Sequence, residues 1–243
     1  MTDDITTNAL AVTLHHRNAA ADTYNKAQVA YEIAVLDHVS ARIRAAYPDT
    51  THLTFVHYAR SRELDLRAFF TIAPDGTARQ ILDATARHPA PALDLDELTD
   101  DLAEALAGLN SISWSAVRPE PTGPGEWTLD LPPYDRAARI AELARAHHPH
   151  AILLTVDFPS DRAQVLDLTS AGIGESGDTI AEPIQTLPDR PLWPAETERQ
   201  IAVLATQIRA LPHLRAQHLL PIDTAKGRKE ILTLPAPTTK GLS

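Results

Sequence analysis

Apolar and polar positions alternate along the stretch Thr51–Asp83, THLTFVHYARSRELDLRAFFTIAPDGTARQILD. Leu53, Phe55 and His57 take one parity, and Thr54, Val56 and Tyr58 take the other. After a polar turn at Arg60–Glu63, the period of two resumes through Leu64, Leu66, Ala68, Phe70 and Ile72, which predicts a pair of strands. Asp75-Gly76 then marks a turn into a third strand, because glycine reaches positive φ without a steric penalty. Upstream, Val29, Ile33, Leu36, Ile43 and Tyr47 recur at spacings of three, four or seven, so a helix is expected over Asp22–Ala46, with Pro48 stopping it. Downstream, Leu98, Leu102, Leu106 and Leu109 form a second helical stripe, opened by an Asp94/Glu97 capping pair. Two strands are expected next, Ser111–Val117 and Trp127–Leu131, joined by a loop RPEPTGPGE.

The same order then restarts after Pro132-Pro133. A helix is predicted over Tyr134–His147, strands over Ala151–Phe158, Ala163–Thr169 and Thr179–Ile184, and a helix from Pro191–Pro194 to Leu211. Strands at Gln217–Ile222 and Glu230–Leu234 close the series. Pro48 and Pro149, Leu109 and Leu211, and Pro132 and Pro235 are separated by 101 to 103 residues, which reads as a tandem duplication. The expected fold class is therefore α+β: two tandem α-β-β-β-α-β-β units, each an antiparallel sheet with its helices on one face. Residues 1–21 are set apart as an N-terminal extension, 22–132 as the first unit, 133–235 as the second and 236–243 as a tail.

Bulk properties narrow the partners. A net charge of −10 over 243 residues repels a phosphate backbone, so nucleic acid is not an expected partner. There is no cysteine, hence no disulfide, thiolate nucleophile or cysteine-ligated metal. The opening MTDDITTNALAVTLHH lacks the basic and apolar regions of a secretion signal, and no apolar run is long enough to cross a bilayer. A cytoplasmic protein without membrane contact is expected.

Candidate chemistry is sparse. Gly172-x-Gly174-x-x-Gly177 matches a dinucleotide fingerprint by letter, but no parallel βαβ pattern surrounds it, so it reads as a hairpin connection. His147, His148 and His150, with Asp157 a strand away, carry donor types suited to a divalent ion. The simpler reading is that these histidines complement a helix C-terminus beside Pro149, with no metal and no cofactor. No serine sits in a nucleophile elbow. What remains is a surface. Strict alternation turns Val56, Tyr58 and Phe69 outward beside Arg67 in the first unit, and Leu153 and Val165, near Asp157 and Asp167, in the second. These six, Val56, Tyr58, Arg67, Phe69, Leu153 and Val165, are the expected partner-binding residues.

The order helix, three strands, helix, two strands resembles that of the type III secretion chaperones and the related YbjN-like domains. The resemblance covers residues 22–131 once and 134–234 again, and rests on element order and acidity. It implies a non-enzymatic, chaperone-like module that binds a protein or peptide client, existing as a monomeric pseudo-dimer or a homodimer. The alternatives are an immunity or antitoxin-type inhibitor of a basic toxin, and a metal-dependent enzyme centred on His147–His150.

Overall fold

The structure is a computed structural model that describes residues 2–58, 63–73, 77–85, 93–106, 117, 119–159, 162–173, 179–184, 191–224 and 227–236, with side chains from residue 11 onward. Its elements run in chain order as helix α1 (Thr2–Ala46), strands β1 (His52–Tyr58), β2 (Glu63–Ile72) and β3 (Ala78–Asp83), and helix α2 (Leu95–Leu106). Strands β4 (Glu120–Gly123) and β5 (Glu126–Asp130) complete the first set. The second set is helix α3 (Arg136–His147), strands β6 (Ala151–Asp157), β7 (Gln164–Ile173) and β8 (Thr179–Ile184), and helices α4 (Ala195–Ala210) and α5 (Pro212–His218). Strands β9 (Leu219–Thr224) and β10 (Gly227–Thr233) end it.

Two five-stranded antiparallel sheets result. Sheet A has the order β3-β2-β1-β5-β4 and sheet B the order β8-β7-β6-β10-β9, the same path traced twice. Each sheet presses one face on its own helices. Leu36, Val39 and Ile43 of α1 and Leu98 and Leu102 of α2 meet Leu53, Phe55, Leu66, Phe69 and Leu129. In the second unit, Ile140 and Ala144 of α3 and Ile201, Ala205 and Ile208 of α4 meet Leu154, Val156, Leu168 and Leu232. The helix ends follow local chemistry: Asp94 Oδ1 accepts from the backbone N–H groups of Asp96 and Glu97, each at 3.1 Å, and Asp135 Oδ1 accepts from Ala138 N at 2.9 Å.

Four elements depart from the sequence reading. Helix α1 begins at Thr2, so the stretch set apart as an extension is the first half of a 45-residue helix. The hairpin partner of β5 is Glu120–Gly123, inside the piece read as a loop, with Gly125 at φ 76° supplying the tight turn. Of the strand expected at Ser111–Val117, only Val117 lies within the described residues, and it is buried in the first unit's core rather than paired in a sheet. Residues 212–218, read partly as strand, form α5, because Pro212 sits at a helix start and the strand period begins only at Leu219. The turns at Arg60–Arg62 and Asp75-Gly76, together with Leu109 and Trp114, lie outside the described residues.

The units are joined by a small third cluster, in which Val29 and Ile33 of α1 pack on Leu211, Ala210 and Leu214. Arg136, 5 % exposed, reaches across with its fork on the Asp37 carboxylate and its Nε donating to Gln207 Oε1 at 2.7 Å. The Pro132-Pro133 linker is clamped as well. Ser40 Oγ donates to Pro132 O at 3.2 Å, and the Arg44 guanidinium donates to the carbonyls of Thr50, Leu131 and Pro132.

Candidate functional site

The sheet face turned away from the helices decides which expected binding residues are available. In the β1–β2 ladder Thr54 pairs with Ala68 and Phe55 with Leu66, so Arg67 is an extra, unpaired residue: a β-bulge. A one-residue insertion reverses the parity of everything after it. Leu64 and Leu66 point to the core before the bulge; after it, Phe69 points inward and Phe70 and Ile72 point outward. Phe69 is therefore 0 % exposed, paired with Leu53 and set 5.9 Å from the Tyr47 ring. It is core, not a contact residue. Ile72, expected inside, is 55 % exposed.

The second unit repeats the device. Thr155 pairs with Asp167 and Val156 with Val165, leaving Leu166 as the bulge. Val165 therefore shares the inward side with the fully buried Val156 and packs on the core cluster, which removes it from the outward set. Leu153, paired with Thr169 and Thr233, stays half-buried on the outer face.

Four of the six candidates remain on outer faces, and three of these gather. Val56 lies between Asp65 and Glu126 on the neighbouring strands, Tyr58 pairs with Glu63, and Arg67 Nη2 donates to Tyr58 Oη at 3.4 Å while bridging Asp65 at 2.9 Å. Further along this face the His52 and Phe70 rings stack at 5.1 Å, with Asp130 opposite His52 on β5. Burial pulls the His52 imidazole below its ordinary pKa, partly offset by the Asp130 carboxylate. Burial likewise pushes the Asp130 carboxyl up, against the opposing pull of His52. The sequence holds no cue for the His52–Phe70 pair, since strict alternation assigns Phe70 to the core.

Where β1 begins and β5 ends, α4 approaches and a cleft of about 460 Å³ opens between the units, lined by Ile72, Asp130, Pro132, Arg139, Arg199 and Val203, among others. Arg199 spans it by pairing with Glu120 of β4. A second groove, of about 600 Å³, lies between α1 and α5, floored by Val29, Ala30, Ala210, Ala216 and Leu219.

The histidine cluster does not assemble. His148 Nε2 lies 2.7 Å from the Leu192 carbonyl and its ring meets Trp193 edge-on, His147 is 3.5 Å from Thr197 Oγ1, and His150 is exposed in the turn. Asp157 accepts from the backbone N–H of Phe158 at 2.8 Å. Among the described residues, no three His, Asp or Glu side chains converge as metal ligands would. The described glycine of the fingerprint run, Gly172, sits in the antiparallel β7–β8 pair, which is not a dinucleotide-binding turn. No described helix is both long and apolar enough to cross a membrane. Comparison with protein-family models, curated proteins and solved structures found no match.

Proposed function

We propose that the protein is a non-enzymatic binding module, chaperone-like in the sense that it holds an extended protein segment against the outer face of sheet A. The supporting observation is the composition of that face. Tyr58 is 45 % exposed, Val56 and the His52–Phe70 stack are half-buried, and none of these joins a core cluster. Such a surface offers apolar anchors at the two-residue spacing of an extended peptide. Glu63, Asp65, Glu126 and Asp130 lie on the same face, and Arg67 is neutralised by Asp65. The preferred segment alternates apolar and basic residues.

The sheet edges agree with this choice of unit. Edge strands β4, β8 and β9 carry Pro121, Pro183 and Pro221, each of which removes a backbone donor and discourages strand addition. Edge strand β3, ARQILD, carries no proline and borders the outer face of β2.

Selection of peptides from a random displayed library against the full chain tests the reading. Enrichment of alternating apolar and basic residues is expected. Val56→Ser with Tyr58→Ala removes two anchors worth roughly 1.5–3 kcal/mol each when buried, before ordering costs. Capture weakens by at least about tenfold while thermal unfolding barely changes, since no core cavity is made. Unaltered capture by the folded double variant refutes this site.

A further inference from the structure

Helix α1 carries two apolar stripes. One holds Val29, Ile33, Leu36, Val39 and Ile43 and is buried in the two units. On the opposite side Ala20, Ala27, Ala34 and Ala41 recur every seventh residue, with Tyr24, Tyr31 and His38 interleaved at spacings of three and four. All seven are exposed, Tyr24 at 69 % and Tyr31 at 54 %. A solvated helix back carries charged side chains; small and aromatic residues in a 3-4 ladder form the seam of a helix pair. The Tyr31 hydroxyl is bonded to Glu104 of α2, so its ring is already held in place.

A second observation points the same way. Residues 11–24 are exposed on every side of α1, and packing against the body begins at about Asn25. Fourteen helical residues exposed all round are marginal in water, the more so with Thr, Asn and His among them.

We infer that the ladder is the docking surface for a second copy of this chain, with the two α1 helices antiparallel about a two-fold axis near residue 29. In that register Tyr24 faces Ala34 of the other copy, Tyr31 faces Ala27, and His38 faces Ala20. Every large side chain meets an alanine, and the two-fold repeats each contact, so the interface is closed. The same register lays residues 13–24 of each helix along residues 34–45 of the other, which its own body supports. Each uncovered half-helix is thereby covered. No parallel register does this, since it pairs the two free halves with each other. A seam about 10 Å wide and 45 Å long removes on the order of 1,000 Å² from water, near the lower limit for a specific interface, so a dimer of micromolar strength is expected.

Sedimentation of the full chain at about 100 µM should give twice the monomer mass. Ala27→Glu keeps helix propensity but places a charge in the seam, and should weaken association by at least about tenfold with unchanged circular dichroism. If Ala27→Glu loses helix signal, Ala34→Glu, one heptad on, makes the same test. The chain has no cysteine, so Ala27→Cys mixed with Tyr31→Cys should form a disulfide joining the two variants. A monomer at that concentration, association indifferent to both folded glutamate variants, or Ala27→Cys cross-linking to itself would each overturn the arrangement.

Discussion

Truncating Phe69 tests the bulge at Arg67 directly. With strict alternation along β2, Phe69→Ala would be a surface change and would cost a few tenths of a kcal/mol. With the bulge, the ring is fully buried beside Leu53 and Tyr47, and its removal leaves a cavity in the first unit's core. Phenylalanine-to-alanine changes at such sites cost about 3–5 kcal/mol. The first unit has its own core, so the loss falls on that unit's transition, where each kcal/mol shifts the midpoint by roughly 4–8 °C. Urea unfolding is the better assay, because two cores allow two transitions and the affected one is identified by its midpoint. Phe70→Ala is the internal control. That ring is half-buried and stacks on His52, so its loss should cost about 1 kcal/mol. A nearly neutral Phe69→Ala beside a severe Phe70→Ala would place the opposite parity in the sheet and refute the bulge.

Arg136→Leu should cost roughly 3 kcal/mol by equilibrium unfolding, the low end for breaking a buried ion pair because Asp37 keeps 35 % of its side chain exposed. Arg136→Lys, which retains the charge but not the fork, should recover part of this, and equal losses for both variants would discount the fork. His52, held neutral by burial, contributes stability that is complete above its unfolded value of 6.5 and declines as pH falls through 6.5 toward the lowered folded value. The buried Asp130 carboxyl acts in the opposite sense, regaining stability as acidification neutralises it. The stability difference between the wild type and His52→Phe, which keeps the ring stack, should therefore shift against the wild type between about pH 7 and pH 6, and a difference independent of pH would remove His52 from the account.

The repeat of element order, the inward stripes of α1 to α4 and the paired sheets are legible in the sequence because each rests on local periodicity. Val29, Ile33, Leu36 and Ile43 can share a face in only one regular structure, and Pro48 can only end it. Thr179–Ile184 reads as a strand with the bounds it has in β8. Four outer-face residues, Val56, Tyr58, Arg67 and Leu153, also follow from a period of two counted from the buried Phe55, Leu66 and Leu154.

Tertiary structure decided the rest. A bulge has no local signature in Leu66-Arg67-Ala68-Phe69-Phe70, where apolar residues occupy both parities; the ladder selects the parity that buries Phe69 against Leu53 and Tyr47. The corresponding insertion at Leu166 turns Val165 inward for the same reason. The histidines near Pro149 look like a donor set only while their directions are unknown, and packing spends His148 on the Leu192 carbonyl and Trp193. The sequence from Thr2 to Ala21 carries no apolar stripe at helical spacing, so periodicity does not show its helix, although the Ala/Tyr ladder from Ala20 to Ala41 is in plain view. A repeated spacing tells that a helix has a face. Only the folded chain tells which faces its own core has already used.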